Sequence, residues 1–341
     1  LTTPAFDNQK YLTAQTEAIL SRIKKFDKLY LEMGGHVLCD AHASRVLPGY
    51  KADNKIRLIK KLKDKIAIIY CVSAKEIEKN ITWSDSGLTL EDYALKEIKE
   101  FRENGLNVVA IAINRLENET KALAFIERLK KLKENFVIST EIGGYPKSIK
   151  NIFGPNGFEK QPLIELKEPL IIVTGAGANN GKMFLALSQI YQLKKKGIDA
   201  GFAKFETFPI WNLQIKHEVN IAYEAATADI KDKLLIDPFH KKAYGINAVN
   251  YNRDIENFAI LKKIIDKISS RTNYMNNYKS PTDMGLNMAK EGIINDKKIR
   301  EASIKEIYRR AKIYQEKFKA KDTTKSTLLR MDRIIDKIVK H

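Results

Sequence analysis

Cysteine is nearly missing. The 341-residue chain has two, Cys39 and Cys71, far apart and without partner spacing. That excludes a disulfide framework and a cysteine zinc site, and a reducing cytoplasm is the expected compartment. Long apolar runs are also missing. No stretch reaches the roughly 18 apolar residues a membrane-spanning helix needs. The amino end, Leu1 to Asp7, has neither the basic stretch nor the apolar core of a secretory signal. It also lacks an initiator Met, so an upstream portion is expected to have been removed or engineered. Acidic residues are in deficit, 42 against 60 Lys plus Arg, giving a formal charge of +18. Residues 291–341 hold 15 Lys plus Arg against 8 Asp plus Glu, a net +7, and the rest is spread along helix faces. There is no zinc-finger spacing, no aromatic ribonucleoprotein motif and no basic block, so the charge points to small anionic molecules rather than nucleic acid.

What is present centres on Leu170-Ile171-Ile172-Val173-Thr174-Gly175-Ala176-Gly177-Ala178-Asn179-Asn180-Gly181-Lys182-Met183. An unbroken apolar run predicts a buried strand, and the pattern from Phe184 to Lys194 predicts a helix. A strand, a small-residue turn and a helix N-terminus make an anion site, because the first amides of a helix lack intrahelical acceptors and the dipole is positive there. Gly175, Gly177, Asn179, Asn180, Gly181, Lys182 and Met183 are the expected ligand-binding set, with ATP or another phosphate-bearing molecule as the ligand. The motif is degenerate. Ala176 occupies the first glycine position of a P-loop, and Met183 replaces the hydroxyl residue that holds magnesium. A thioether is a poor ligand for a hard cation, so magnesium would have to be held from elsewhere. The plain alternative is a tight turn with a solvated lysine.

Around this stretch, apolar strands alternate with helices. Strands are predicted at residues 29–31, 37–38, 65–72, 108–113, 136–140, 200–205 and 234–236. Helices are predicted at 8–25, 56–62, 90–103 and 120–133, with residues 40–49 as a polar loop. Continuous apolar strands argue for an α/β fold with mainly parallel sheet units covered by helices on both faces. Three regions follow: an N-terminal α/β unit over 1–165, a P-loop-like α/β unit over 166–260 and a helical region over 261–341. In the last region Ile304, Ile307, Tyr308, Ala311, Tyr314 and Phe318 form a one-sided stripe that must bury against something, a second copy of the chain included.

Functional groups of an open α/β sheet gather beyond the carboxyl ends of its strands. This rule selects Lys204, Glu206 and Thr207 after one strand, and Asp237 and His240 after another. Asp237 stands where P-loop enzymes keep a magnesium carboxylate, although Asp-Pro also simply starts a turn. Arg253, in Asn250-Tyr251-Asn252-Arg253-Asp254, could clamp an anion or form a structural pair with an Asp. His42, Ser44 and Arg45 make a compact polar set, and the segment 206–229 reads as a substrate wall.

The chain also resembles a bacterial family known as uncharacterised protein family 0371, or domain of unknown function 1846. The resemblance rests on Phe6-Asp7-Asn8, Leu29-Tyr30-Leu31-Glu32, His42-Ala43-Ser44-Arg45-Val46-Leu47-Pro48-Gly49 and Ile77-Glu78-Lys79-Asn80. It continues through Ala203 to Leu213, Ala222 to Asp229, Ile236 to His240, Asn250 to Asp254 and Ser280 to Gly285. Family members usually carry a Gly-Pro-Gly-Ser-Gly-Lys-like loop, where this chain has Gly177-Ala178-Asn179-Asn180-Gly181-Lys182. They also tend to continue into a further α/β domain. The family name assigns no activity, so function rests on the residues. The leading expectation is an ATP-dependent transferase or ligase acting on a small anionic substrate. The layout is similar to that of dethiobiotin-synthetase-type ATPases. Lys204, Glu206, Asp237 and Arg253 are the catalytic candidates, and Asp237 or Glu206 the magnesium ligand. The alternatives are a non-catalytic phosphate- or nucleotide-binding or interaction protein, and a metal-dependent hydrolase built on His42, Asp237 and His240.

Overall fold

The structure, a computed structural model, describes residues 4–80, 82, 87–175, 177, 179–230 and 232–339. The expected Ala176 and Ala178 positions of the glycine loop lie outside the described residues. The chain opens with α1 (Asn8–Ile23), capped by Asp7, whose carboxylate accepts from the amides of Gln9 and Lys10. Then come β1 (Lys28–Met33), α2 (Ala41–Val46), α3 (Asn54–Lys61), β2 (Ile66–Ser73), α4 (Ala74–Glu78), α5 (Leu90–Glu103), β3 (Val108–Leu116), α6 (Thr120–Lys131), β4 (Phe136–Thr140) and α7 (Ile149–Ile152). The glycine-loop region supplies β5 (Leu170–Thr174), α8 (Lys182–Lys195) and β6 (Ala200–Phe205), followed by α9 (Glu218–Ala226), β7 (Leu234–Ile236), α10 (Pro238–Tyr244) and β8 (Val249–Tyr251). The remainder is α11 (Asn252–Ile268), α12 (Pro281–Met284), β9 (Gly285–Leu286), α13 (Asp296–Lys319) and α14 (Lys325–Val339).

Seven strands form one sheet in the order β4-β3-β2-β5-β1-β6-β9, with every pair parallel. The α/β class therefore holds. Its strands read as continuous apolar runs because both faces are covered: all of β2 and β5 is buried. The two N-terminal segments expected as separate units interleave, since β5 lies between β2 and β1. The region expected to be only helical also supplies β9, which pairs Gly285 with Lys204 and Leu286 with Phe205.

Alternation along the strands sorts their side chains between two cores. Leu29, Leu31 and Met33 of β1 join Ile68, Tyr70 and Val72 of β2 under α1, α3, α5 and α6. Tyr30, Ile69, Cys71, Ile171 and Val173 face the opposite way, toward α8 and α11. The chain leaves β1 toward the β2 side of the sheet, through α2 and α3. It leaves β5 in the other direction, through α8 to β6. The two connections part at the carboxyl ends of β1 and β5, which makes that edge the topological switch point.

Three local expectations are corrected. Residues 37 and 38 form a bend rather than a strand, because a strand needs a neighbour to pair with. The polar loop at 40–49 contains α2, started by Asp40, whose carboxylate accepts from the Ala43 amide. The strand at 234–236 exists, but it pairs antiparallel with β8 in a separate hairpin. The apolar stripe of α13 is largely covered within the chain: Ile307, Ala311 and Tyr314 are buried where α13 meets α9 and α14, while Tyr308 and Phe318 remain exposed.

Candidate functional site

In open parallel sheets the ligand crevice lies beyond the strand ends at the switch point, and here that position is taken by the ends of β1, β5 and β6 and the residues that follow them. Beyond β5, Gly175 passes so near β2 that a Cβ there would stand 2.1 Å from the Cys71 carbonyl oxygen. Gly181 has φ +76, and its Cβ would lie 2.9 Å from Cβ of Asn114. Both positions need glycine for close approach of backbone and side chain, and Gly181 also for its left-handed conformation. Asn179 adopts φ 62, a value asparagine tolerates better than most residues. The buried Asn114 amide donates to the Asn180 carbonyl at 2.8 Å, while its own Oδ1 has no hydrogen-bond partner. These contacts hold the turn against β3.

α8 begins at Lys182, so the amides of Lys182, Met183 and Phe184 have no intrahelical acceptor. Lys182 is 8% exposed, and its Nζ donates to the Gly177 carbonyl at 2.9 Å across the loop. The ammonium therefore lies over the loop rather than in bulk water. Met183 packs against the α8-side core, consistent with its having no affinity for a hard cation. Cys71 lies beneath; burial pushes its thiol up to about 12 although the Lys182 charge opposes this, so it is no nucleophile at neutral pH.

Register assembles the rest. Glu32 of β1 is the direct partner of Lys204 on β6, so both side chains leave the same face of the sheet, the face that carries α8. Lys204 Nζ bonds Asp254 Oδ2, on α11, at 2.5 Å, with both side chains largely buried. Burial works to neutralise Lys204, but Asp254, Glu32 and Glu206 outweigh it and hold the ammonium above its ordinary range. Glu206 shows the opposite outcome. Burial, with Asp254 and Glu32 adding to it and Lys204 opposing, pushes its carboxyl up to about 8. Glu32 Oε2 is buried with no hydrogen-bond partner. A buried acid with a shifted titration, a paired ammonium and an unsatisfied carboxylate oxygen together mark a functional-site candidate.

The other predicted residues lie elsewhere or serve the fold. Asp237 is fully buried and caps α10: its Oδ1 accepts from the amides of Phe239 (3.0 Å) and His240 (3.1 Å). Its Oδ2 accepts from the amide (3.3 Å) and hydroxyl (2.7 Å) of Thr282. Both oxygens are spent, and the strand before it is outside the parallel sheet. Arg253 forks onto buried Asp232, Nε to Oδ1 at 2.6 Å and Nη2 to Oδ2 at 2.7 Å, the structural pairing foreseen as its alternative. His240 Nδ1 meets Ser280 Oγ at 2.9 Å, and Ser44 donates to the Ala41 carbonyl at 3.0 Å. Thr207 is buried, and its hydroxyl faces those of Tyr11 and Tyr50 without hydrogen-bonding geometry to any partner. His42 is buried edge-on against Phe208 and Tyr223, with ring centroids 5.2 and 5.7 Å apart, and burial lowers its proton affinity.

Among the described residues, no group of three or more His, Cys, Asp or Glu side chains could hold a metal ion, so His42, Asp237 and His240 form no such centre. The thioether of Met183 and the fully engaged carboxylate of Asp237 do not fit a magnesium ion. Sequence reasoning missed Glu32, Asp254 and Asn114. The readable signal was a carboxylate directly after Leu29-Tyr30-Leu31, a charge inside an otherwise buried strand.

Comparison with known proteins matches residues 4–339 to the family model described as "Domain of unknown function DUF1846, N-terminal". Curated relatives include UPF0371 proteins of Fusobacterium nucleatum and Clostridium tetani, each 45% identical over 305 residues. A UPF0371 protein of Clostridium botulinum is 45% identical over 306 residues. These alignments cover 89 to 90% of this chain and 60% of each relative, so the chain spans well under two thirds of the length of the proteins it matches. No helix among the described residues is long and apolar enough to cross a membrane. With the family model covering nearly the whole chain, this protein belongs to the DUF1846 family.

Proposed function

We propose that the crevice beyond β1, β5 and β6 binds a phosphate-bearing small molecule, ATP or another nucleotide, and acts on a small anionic co-substrate as a transferase or ligase. Gly175, Gly177 and residues 179–183 would surround the phosphates with backbone amides, and Lys182 would supply the point charge. The observation that carries this reading is the placement of the loop at the switch point beside the Glu32–Lys204 register pair. Lys204 stands where charge spreads during transfer. Glu206, kept protonated near neutrality by burial, is suited to giving a proton to a leaving oxygen.

One observation favours a non-catalytic phosphate-binding protein instead: the Lys204 ammonium is already ion-paired with Asp254, which reduces what it can offer a transition state. A thermal-shift screen of nucleotides and sugar phosphates tests binding. A ligand at 100 times its Kd stabilises by about 2.7 kcal/mol, and Lys182→Ala should cut that shift at least to about half. Product formation by the same protein separates the two readings. Turnover lost in Glu206→Gln supports the enzyme, and binding without turnover supports the binder.

A further inference from the structure

Away from the crevice, Glu306 on α13 is 2% exposed and lies beneath three guanidinium groups. Arg45 donates to it through Nε at 2.9 Å, and Arg310 through Nε at 3.0 Å. Arg309 takes both oxygens, at 2.6 and 2.8 Å. One carboxylate facing three guanidiniums leaves two positive charges uncompensated. It also fixes the arginines in place, so that little rotamer freedom remains to be lost on binding. Because Arg45 reaches Glu306 only through Nε, its two terminal amino groups make no hydrogen bond among the described residues.

Arg45 and Arg309 open onto a cavity of about 660 Å³ lined also by Pro48, Lys298, Lys305 and Glu306, among others. The volume falls within the range of small-molecule sites. Lys298, Lys305 and Arg309 follow one face of α13 over 11 residues, about 16 Å. Among the described residues the lining carries Arg45, Lys298, Lys305 and Arg309 against the carboxylates Glu301 and Glu306.

We propose that this cavity is a second ligand site, for a small molecule carrying two or more phosphoryl groups. Arg45 and Arg309 present planar donors to one group, and Lys305 meets another further along the helix. A single phosphate would leave one end of that row unmatched. The concave shape and the acidic Glu301 in its wall favour a compact polyanion over a nucleic-acid strand. The site does not depend on the crevice reading.

Calorimetric titration with inorganic triphosphate tests it, on the wild-type chain, Lys305→Glu, Arg45→Gln and Lys182→Ala. Lys305 is exposed, so its variant should fold normally. The expected result is binding weakened at least tenfold by both Lys305→Glu and Arg45→Gln, preserved in Lys182→Ala, and at least tenfold tighter than for orthophosphate. Failure of the crevice reading would appear only in the Lys182→Ala comparison with nucleotides. The proposal is overturned if triphosphate does not bind, or binds Lys305→Glu as well as wild type. It is equally overturned if a DNA duplex binds more tightly than triphosphate and is lost in the same variants.

Discussion

Two strand-to-helix junctions that each follow a short apolar run, β5 to α8 and β7 to α10, do different work. After β7, Asp237 spends both carboxylate oxygens on two helix amides and on Thr282. After β5, the first turn of α8 has no side-chain cap among the described residues, and buried polar atoms of Asn114 and Glu32 lack hydrogen-bond partners. The difference follows from which sheet each strand joins. β5 ends on the carboxyl edge of a parallel sheet, where neighbouring strand ends converge, whereas β7 sits in a two-stranded hairpin. A satisfied polar turn stabilises the fold, and an unsatisfied one is available to a ligand.

Three substitutions break or sharpen this contrast. The largest effect is expected from Asp237→Ala, which strips a helix cap and leaves buried donors unpaired. It should cost about 3 kcal/mol in denaturant unfolding, while nucleotide affinity per folded molecule stays unchanged. Loss of binding with stability intact would reverse the two roles. Gly175→Ala comes next. Its methyl group would meet a backbone carbonyl at 2.1 Å, so about 2 kcal/mol should be lost, together with phosphate binding.

Glu206→Gln has a smaller effect that depends on pH. The folded carboxyl titrates near 8 and the unfolded one near its ordinary 4.5. Between these values the folded state holds a proton that the unfolded state has released. The contribution of Glu206 to stability is therefore fully present below the lower value and falls as pH rises, by about 1.4 kcal/mol per unit at most. The Gln variant should show a flatter decline in Tm from pH 5 to 8 than wild type. Parallel curves would mean that Glu206 is not buried as described.

Much of the sheet was legible because buried parallel strands announce themselves as apolar runs, as residues 170–174 and 200–205 do. β9 was not legible, since two residues, Gly285 and Leu286, carry no periodicity. The run at 234–236 revealed a strand but not its partner, because nothing in three apolar residues distinguishes a parallel neighbour from a hairpin. That missing partner is why Asp237 read as a metal ligand. Glu32 was overlooked for a related reason. Its meeting with Lys204 depends on register between strands more than 170 residues apart, which local sequence cannot express. The glycines and Lys182 were readable because their requirement is local: a turn, a close approach and a helix start.

The most direct test is calorimetric titration of ATP, and of any sugar phosphate found in the screen, into Lys305→Glu protein with and without Lys182→Ala. The first variant silences the second cavity, so the crevice is measured alone. The account predicts saturable one-site binding that Lys182→Ala weakens at least tenfold, with no change in fold. Equal binding by the two proteins, or none by either, would contradict it.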